Sequence, residues 1–395
     1  MIQLTSLPPN ARIFLAGAKG CFRYRHALIL NWMIVLHLVS SGKSDLRSLS
    51  RMAPDHIKYQ HLRRFLAAGY WSFKTLIHWF GEQAIQALSP PPNGVLFLLG
   101  DSTYKGKRGK KNPVVKKGKI RATHPFLFGI QIVFLVVHWG VYRIPVDFEI
   151  IRRKNDPEYV KENELFRRML AVYKPPSWAK KVIVLADAAY ASRANFKFII
   201  SQGWFFLMGI ARSWVFEDGK SLRNLVNHLP PRHYKRTWVP TINGKHRATY
   251  WTFAKRTRLR HIGDVTMVLS KKRRNLGPKA TKILVTNLPN VTSRDVVQIY
   301  QRRWNVELLI WELKGAMGLG QHQVTKKVDR VERSIAVSVI AYQVLIKLRA
   351  KDIPDSGSWS AFTLKQNITW DVGLAQLQHS AEKLARKSTI MRLAA

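Results

Sequence analysis

The chain has 395 residues, with 66 Lys and Arg against 23 Asp and Glu, so its formal net charge is +43. Hydrophobic residues make up 46% of the sequence, which provides for a packed core and excludes wholesale disorder. The single cysteine, Cys21, excludes an intrachain disulfide and a cysteine-based zinc site. A charge excess of this size predicts a polyanionic partner, and nucleic acid is the favoured one.

A membrane surface is the other common polyanion, but the sequence predicts no anchor that would hold the chain there. Residues 1–10 lack the charged and apolar regions of a signal peptide. The most apolar stretch, residues 126–137, contains Gln131 and is too short to span a bilayer as a helix. We therefore expect no membrane contact and a cytoplasmic location.

Residues 1–92 are predicted to form a helical and basic region. Residues 25–38 and 60–88 carry apolar side chains at helical spacing, with Arg, Lys and His between them. The run from Pro90 to Gly94 breaks this pattern, because neither repeated prolines nor the following Asn-Gly continue a helix. This run marks the first domain boundary.

Beyond this boundary the pattern changes to alternating strands and helices. A buried strand is predicted over residues 95–99, closed by Gly100 and Asp101, and another over residues 181–186, ended by Asp187. A loop rich in Gly and Lys follows the first strand. The other elements predicted here are a hairpin over residues 126–137 and 141–150, helices over residues 158–172 and 190–201, and a strand over residues 204–210.

Residues 212–290 are predicted to be rich in β-structure, with a hairpin about Asn243-Gly244 and strands over residues 265–270 and 282–286. A capping box formed by Thr292 and Asp295 then begins a long helix that is expected to run to about Gly315. Further helices are predicted over residues 328–350 and 372–384. The alternation of strands and helices alone supports only an α/β class. The order of the elements resembles that of a ribonuclease-H-like domain interrupted by a β-rich insertion.

Two acids stand alone in this basic chain. Asp101 is the only acidic residue between Glu82 and Asp147, and Asp187 is the only one between Glu164 and Glu217. Each directly follows an apolar run, where α/β sheets place their ligand-binding residues. The alternative is that each Asp only forms a turn or caps a helix after its strand.

A third acid belongs to a longer pattern, in which Tyr300, Arg303 and Lys314 lie at offsets of −7, −4 and +7 from Glu307. On one continuous helix these four residues would share a stripe roughly 60° wide. The alternative is a solvated helix face with an Arg303–Glu307 ion pair, which contributes only about 0.5 kcal/mol. That pair does not explain why Tyr300 and Lys314 lie on the same line.

The spacing Tyr-x2-Arg-x3-Glu-x6-Lys resembles the signature of the insertion-sequence-four superfamily of bacterial DDE transposases. The pair Asp101-Ser102 is similar to the context of that family's first acid. Asp187 with Tyr190 resembles the family's Asp-x-x-Tyr motif around its second acid. The resemblance covers residues 96–315 and includes the β-rich insertion between the second Asp and the Glu.

The resemblance implies a DNA transposase that cleaves transposon ends and joins them to target DNA by cut-and-paste chemistry. Asp101, Asp187 and Glu307 would be the catalytic residues and the ligands of two Mg²⁺ ions, for which Mn²⁺ can substitute. Arg303 and Lys314 would hold DNA phosphates, with Tyr300 and Tyr190 as accessory residues. A homodimer on paired DNA ends is expected, in the bacterial cytoplasm and associated with the nucleoid when bound to DNA.

The pattern of predicted elements, together with the resemblance over residues 96–315, divides the chain into five regions. The predicted domains are a helical DNA-binding region (1–92), the first part of a ribonuclease-H-like catalytic domain (93–211), a β-rich insertion (212–290), a second catalytic part with the Glu-bearing helix (291–320) and a helical C-terminal region (321–395).

Two basic clusters are predicted to follow the DNA backbone, although either could be only a solvated loop. The first, which we call the lysine loop, comes after Asp101 and the second lies in the insertion. The lysine loop contains Lys105, Lys107, Arg108, Lys110, Lys111, Lys116, Lys117 and Lys119. The insertion cluster contains Lys271, Lys272, Arg273 and Arg274.

Two other functions remain open from the sequence. One is a DNA-binding protein that derives from a transposase and no longer cleaves, and the presence of all three acids counts against it. The other is a ribonuclease-H-like nuclease that hydrolyses DNA without strand transfer. The helical N-terminal region and the insertion favour recognition of transposon ends over this second alternative.

Overall fold

The computed structural model describes residues 24–41, 44–68, 71–107, 112–118, 127–241, 246–321, 327–354 and 356–393 of the chain. Over these residues the protein is of mixed α/β class, with one large sheet. The chain divides into two compact units. One unit contains Met1–Leu88, Trp311–Ile353 and Trp359–Ala395, and the other contains Ser89–Ile310 and Pro354–Ser358.

The helices are α1 (Tyr24–Val39), α2 (Leu46–Met52), α3 (Tyr59–Ala68), α4 (Phe73–Gln86), α5 (Glu162–Val172), α6 (Arg193–Ser201), α7 (Leu222–His228), α8 (Ser293–Gln301), α9 (Trp304–Gly315), α10 (Val328–Leu348) and α11 (Ala361–Leu393). The strands are β1 (Val95–Gly106), β2 (Lys116–Gly118), β3 (Leu127–Trp139), β4 (Tyr142–Ile150), β5 (Lys181–Ala186), β6 (Phe205–Gly209), β7 (Lys235–Pro240), β8 (Arg247–Leu259), β9 (Gly263–Lys271) and β10 (Lys282–Thr286).

The ten strands form one sheet in the order β2-β3-β1-β5-β6-β10-β9-β8-β7, with β4 paired to β3. β5 runs parallel to β1 and to β6, and the other pairings among the described strands are antiparallel. Strands β7, β8 and β9 come from the stretch predicted to be β-rich. They extend the same sheet, because β10 pairs with β6 on one side and with β9 on the other.

Strand β1 is longer than predicted, and this changes the place of Asp101. The expected strand ended at Leu99, whereas β1 continues to Gly106. Its parallel pairing with β5 stops at Gly100, but its antiparallel pairing with β3 goes on to Gly106. Asp101 therefore lies within the strand, at the point where β1 loses one of its two neighbours. The first residue of the lysine loop, Lys105, is likewise in β1.

The long helix predicted to run to about Gly315 is interrupted. The capping box is confirmed, since Asp295 N–H donates to Thr292 Oγ1 at 3.2 Å and Thr292 N–H donates to Asp295 Oδ2 at 2.9 Å. Helix α8 nevertheless ends at Gln301 and α9 begins at Trp304. Between them the N–H of Arg303 donates to the carbonyl three residues back instead of four, which tightens the turn and offsets the two helices.

Several other boundaries differ from the predicted ones by a few residues. The helix predicted over residues 60–88 is divided into α3 and α4. The helix predicted from residue 190 begins only at Arg193, because Ser192 accepts the N–H of Asn195 and caps α6 there. The predicted strands over residues 181–186 and 282–286 match β5 and β10. The turn predicted at Asn243-Gly244 lies outside the described residues, between paired strands β7 and β8.

The helical unit is built around α10, whose residues from Ser334 to Ile346 are buried on all sides. The side chain of Gln343 donates to the carbonyl of Ile77 in α4 at 2.9 Å. Glu312 is buried in this unit and accepts from the Tyr342 hydroxyl at 2.9 Å and from the Ala361 N–H at 2.8 Å. None of the described helices combines the length and the apolar run that crossing a bilayer requires.

Candidate functional site

The register of two neighbouring strands places Asp101 beside Asp187. Gly100 of β1 is aligned with Ala186 of β5 in a parallel pair, and the two acids are the next residues. Neighbouring strands lie about 4.8 Å apart, so two residues that follow an aligned pair lie side by side. Asp101 stays within β1, whereas Asp187 begins the turn that leads to Tyr190.

Arg303 brings the third acid to this edge. Its Nη1 lies 2.9 Å from Oδ2 of Asp101, and its Nη2 donates to Oε1 of Glu307. The exposed fraction of the side chain is 13% for Arg303, 18% for Asp101 and 33% for Glu307, so these ion pairs are partly shielded from solvent. The turn between α8 and α9 is thus connected to β1 through one guanidinium group.

The negative charge of Asp187 acts electrostatically on the residues around Arg303. Oδ1 of Asp187 accepts the N–H of Ala189 at 2.8 Å, which orients the carboxylate within its own turn. Burial raises the pKa of Asp101 and of Tyr300, and the negative charge of Asp187 raises both further. Burial lowers the pKa of Lys282, and the charge of Asp187 acts against that shift. The structure therefore gathers Asp101, Asp187 and Glu307 in one electrostatic environment.

Asp101 is the acid most strongly affected by this environment. Burial raises its pKa to about 6, although Arg303 and the Ser102 N–H both lower it. The charges of Asp187 and Glu307 raise it further. Desolvation disfavours the charged carboxylate and the two nearby carboxylates add repulsion, so a cation placed here favours the charged form of Asp101.

Tyr300 and Lys282 form the opposite wall of the site. Tyr300 is 7% exposed, and burial raises the pKa of its hydroxyl to about 12, so it remains a neutral phenol at physiological pH. The Lys282 ammonium lies 4.4 Å from the centroid of the Tyr300 ring, and the Arg303 guanidinium lies 5.9 Å from it. The sequence analysis did not single out Lys282, because a lysine at a strand start carries no distinctive signal.

The expectation that Tyr300, Arg303, Glu307 and Lys314 lie on one continuous helix is wrong. Tyr300 belongs to α8 and Arg303 to the turn, while Glu307 and Lys314 lie on α9, seven residues apart. The site is assembled by the turn and by the ion pairs of Arg303.

Tyr190 lies behind the two Asp residues. It is 1% exposed, and its hydroxyl donates to Oε1 of Glu162 at 2.7 Å. Burial raises its pKa well above the usual range for tyrosine, and the charges of Glu162 and Asp101 act in the same direction. Tyr190 is therefore a permanent hydrogen-bond donor at this position. Glu162, at the start of α5, was not recognised from the sequence.

Most of the lysines in the described part of the lysine loop are only partly exposed to solvent. Lys105, Lys107 and Lys116 are half-buried, and burial lowers the pKa of each ammonium, for Lys107 to about 8. Lys117 is exposed. The other predicted members lie outside the described residues: Arg108, Lys110, Lys111 and Lys119.

The insertion cluster is divided between core and surface. Lys271 is 5% exposed, and its ammonium donates to the carbonyl of Leu276 at 2.9 Å and lies 4.2 Å from the Tyr234 ring centroid. The remaining three members are exposed: Lys272, Arg273 and Arg274.

A cavity of about 870 Å³ is lined in part by Arg303, the residue that bridges Asp101 and Glu307. Lys282, Tyr300 and Arg303 line the part of its wall nearest the site, while Tyr250 and Trp304 contribute aromatic surface. Trp304 is 50% exposed. The cavity thus offers apolar and aromatic walls next to a cluster of cations.

The donor chemistry of the site suits a divalent cation. Three carboxylates supply the oxygen ligands that Mg²⁺ prefers, and the Arg303 guanidinium already lies where Asp101 and Glu307 meet. Within the described residues, no three His, Cys, Asp or Glu side chains are close enough together to hold a metal in the arrangement seen. A metal at this position would require Arg303 to release at least one carboxylate.

Comparison with known proteins points to one family. A family model described as the transposase DDE domain matches residues 135–344, a segment that includes Asp187 and Glu307. Among solved structures, the cryo-EM structure of a piggyBac transposase synaptic complex with hairpin DNA is similar over 94% of this chain and 77% of that chain, with 10% identity and a TM-score of 0.48. No curated protein sequence matches the chain.

Proposed function

Since this chain belongs to the transposase DDE domain family, we propose that it cleaves DNA at the ends of a mobile element and joins those ends to target DNA. The observation that carries the proposal is the bridge that Arg303 makes between Asp101 and Glu307. Asp187 follows the neighbouring strand, and its charge acts on Asp101. Metal-dependent cleavage of a phosphodiester uses acids of this kind as ligands, and they come from three separate parts of the chain.

Asp101, Asp187 and Glu307 would hold two Mg²⁺ ions, and Mn²⁺ can substitute. Bound metal would activate the attacking water or 3′-hydroxyl and stabilise the leaving oxygen. The chain contributes the three carboxylates and a partly buried setting. Burial strengthens the interaction of the carboxylates with cations, because solvent screens the charges less.

Arg303 has two successive roles in this proposal. In the arrangement seen, its guanidinium neutralises Asp101 and Glu307. With that charge balanced by bound divalent cations instead, the guanidinium would be available to pair with a DNA phosphate, for which its planar fork is suited. Lys314, two turns beyond Glu307 on α9, would hold a second phosphate, and Lys282 a third. The face of the Tyr300 ring would stabilise the charged groups of Lys282 and Arg303.

The fold supports the catalytic assignment. Strand β3 pairs with β4 and β1, and β5 and β6 continue from β1 in parallel, which is the arrangement we assign to a ribonuclease-H-like domain. Strands β7 to β9 would be its insertion, and the helical N-terminal region would recognise the transposon ends. Both basic clusters would follow the DNA backbone. By analogy with the insertion-sequence-four superfamily, the protein would act as a homodimer on paired DNA ends. It would move a bacterial element by cut-and-paste transposition.

The test compares cleavage with binding for each acid. Asp101→Ala, Asp187→Ala and Glu307→Ala should each abolish Mg²⁺-dependent nicking of a plasmid that carries the element's ends, while DNA affinity in a gel-shift assay persists. Phosphate contacts supply most of the affinity, and none of these acids provides one. Asp264→Ala is the control, since Asp264 is an exposed acid on β9 that pairs with Arg258.

Two results would contradict the proposal in different ways. A wild-type protein that binds the ends but never cleaves them would be a DNA-binding protein derived from a transposase. A protein that cleaves but produces no joined target DNA in a strand-transfer assay would be a nuclease only. Cleavage at the wild-type rate by all three alanine variants would refute the assignment of the acids.

A further inference from the structure

We propose that Glu162 is a positioning residue, which holds Asp101 and Asp187 in the arrangement that metal binding needs. The inference rests on the proposed function and adds a residue to its machinery. Glu162 is the first residue of α5. It is neither part of the transposase signature nor next to it in sequence, yet its carboxylate lies among groups that adjoin both acids.

Both oxygens of Glu162 are engaged, on two different sides. Oε1 accepts the Tyr190 hydroxyl at 2.7 Å, and Oε2 accepts from Nε2 of Gln131 in β3 at 3.1 Å. The same Nε2 also donates to Ser102 Oγ at 3.1 Å. Ser102 follows Asp101, and Tyr190 lies three residues beyond Asp187. Glu162 therefore connects the chain segments that carry the first and the second acid.

The next residue of α5 strengthens this connection. Asn163 Nδ2 donates to the carbonyl of Ala189 at 2.8 Å, and Ala189 N–H in turn donates to Asp187 at 2.8 Å. Asn195, which is fully buried, donates to the Tyr190 carbonyl at 2.9 Å and to Asn163 Oδ1 at 3.0 Å. The turn that presents Asp187 is thus held from both ends by the first turn of α5 and by α6.

The chemistry of these contacts requires a carboxylate at position 162. The Tyr190 hydroxyl is buried and needs an acceptor, and the Gln131 amide needs another. A carboxylate accepts on both oxygens, whereas a carboxamide would present an N–H to one of the two donors. Since each of its oxygens accepts a hydrogen bond from one of these side chains, Glu162 acts on the acids through Tyr190 and Gln131 in this proposal.

The experiment compares Glu162→Gln with Glu164→Gln in the full-length protein. Both variants remove one negative charge from the first turn of α5, so any effect of charge at the helix N-terminus is matched. Glu164 pairs with Arg167 and Arg168 of its own helix. We expect Glu162→Gln to lower Mn²⁺ affinity, measured by titration calorimetry, and the rate of metal-dependent cleavage by about 10- to 100-fold. Its DNA affinity should stay at the wild-type value.

Glu164→Gln should change neither Mn²⁺ affinity nor the cleavage rate. Tyr190→Phe removes one of the two donors, so it should lower Mn²⁺ affinity in the same direction, and the double variant should lose less than the sum of the two single losses. Tyr190→Phe also carries the test if Glu162→Gln does not fold. A merely structural role would lower the melting temperature without separating metal affinity from DNA affinity.

The outcomes distinguish this inference from the proposed function. If the wild type cleaves, but Glu162→Gln and Tyr190→Phe both bind Mn²⁺ as tightly as Glu164→Gln, the positioning role is refuted and the proposed function stands. If the wild type neither binds Mn²⁺ nor cleaves DNA, both are refuted. A selective loss of metal affinity in Glu162→Gln, with DNA affinity retained, supports the inference.

Discussion

Metal affinity should fall steeply when the pH is lowered through 6, because Asp101 must lose its proton before it can bind a cation. Burial raises the pKa of this carboxyl to about 6. Below that value a proton competes with the metal, so the apparent affinity should decrease by about tenfold for each pH unit. At pH 5 only about a tenth of the molecules would carry a charged Asp101.

The assay is a titration of the full-length protein with Mn²⁺ at pH 5, 6, 7 and 8 and constant ionic strength, with binding measured by calorimetry. Two variants assign the effect to this residue. Asp101→Asn removes the titrating group, so its weaker Mn²⁺ binding should hardly vary between pH 5 and 7. Arg303→Ala removes the cation that lowers the pKa of Asp101, so the midpoint of the pH dependence should move to higher pH.

Two results would refute this reasoning. A wild-type Mn²⁺ affinity that is equal at pH 5 and pH 7 would show that Asp101 is not a ligand or that burial does not raise its pKa. A midpoint that moves to lower pH in Arg303→Ala would show that Arg303 does not stabilise the charged carboxylate.

Three further predictions concern DNA binding and stability. Changing Lys107, Arg108, Lys110 and Lys111 together to Ala should flatten the dependence of log DNA affinity on log salt by about 0.9 per lost phosphate contact, and an unchanged slope would place the DNA elsewhere. Gly100→Ala should lower the free energy of unfolding by about 1–3 kcal/mol in a denaturant titration, because the new Cβ would lie 2.3 Å from the Phe166 ring. Gly277→Ala is the control, since a Cβ there meets no atom within 4 Å. Equal unfolding midpoints for the two variants would contradict the packing argument. Tyr342→Phe should cost about 1.5–3 kcal/mol by the same titration, because buried Glu312 loses a hydrogen-bond donor, and an unchanged midpoint would show that the bond contributes nothing.

Local signals were sufficient for the parts of this protein whose structure depends on neighbouring residues. The apolar run of β5 lies between polar residues, and it is a strand over the predicted range. The Thr292–Asp295 capping box begins a helix because both of its hydrogen bonds are made within four residues. The spacing of Tyr300, Arg303, Glu307 and Lys314 indicated a DDE transposase, and the match to the transposase DDE domain supports that much of the prediction.

Contacts between distant residues decided what the sequence alone left open or misplaced. β1 continues past Asp101 because β3, about thirty residues later, keeps pairing with it. The turn at Arg303 interrupts an expected helix, and the side chain it presents bridges Asp101 and Glu307, which lie more than two hundred residues apart. Glu162 is connected to the site by its hydrogen bonds with Tyr190 and Gln131, and no spacing in the sequence predicts these contacts. Periodicity reports only on neighbours along the chain, whereas these contacts exist only once the sheet and helices have packed.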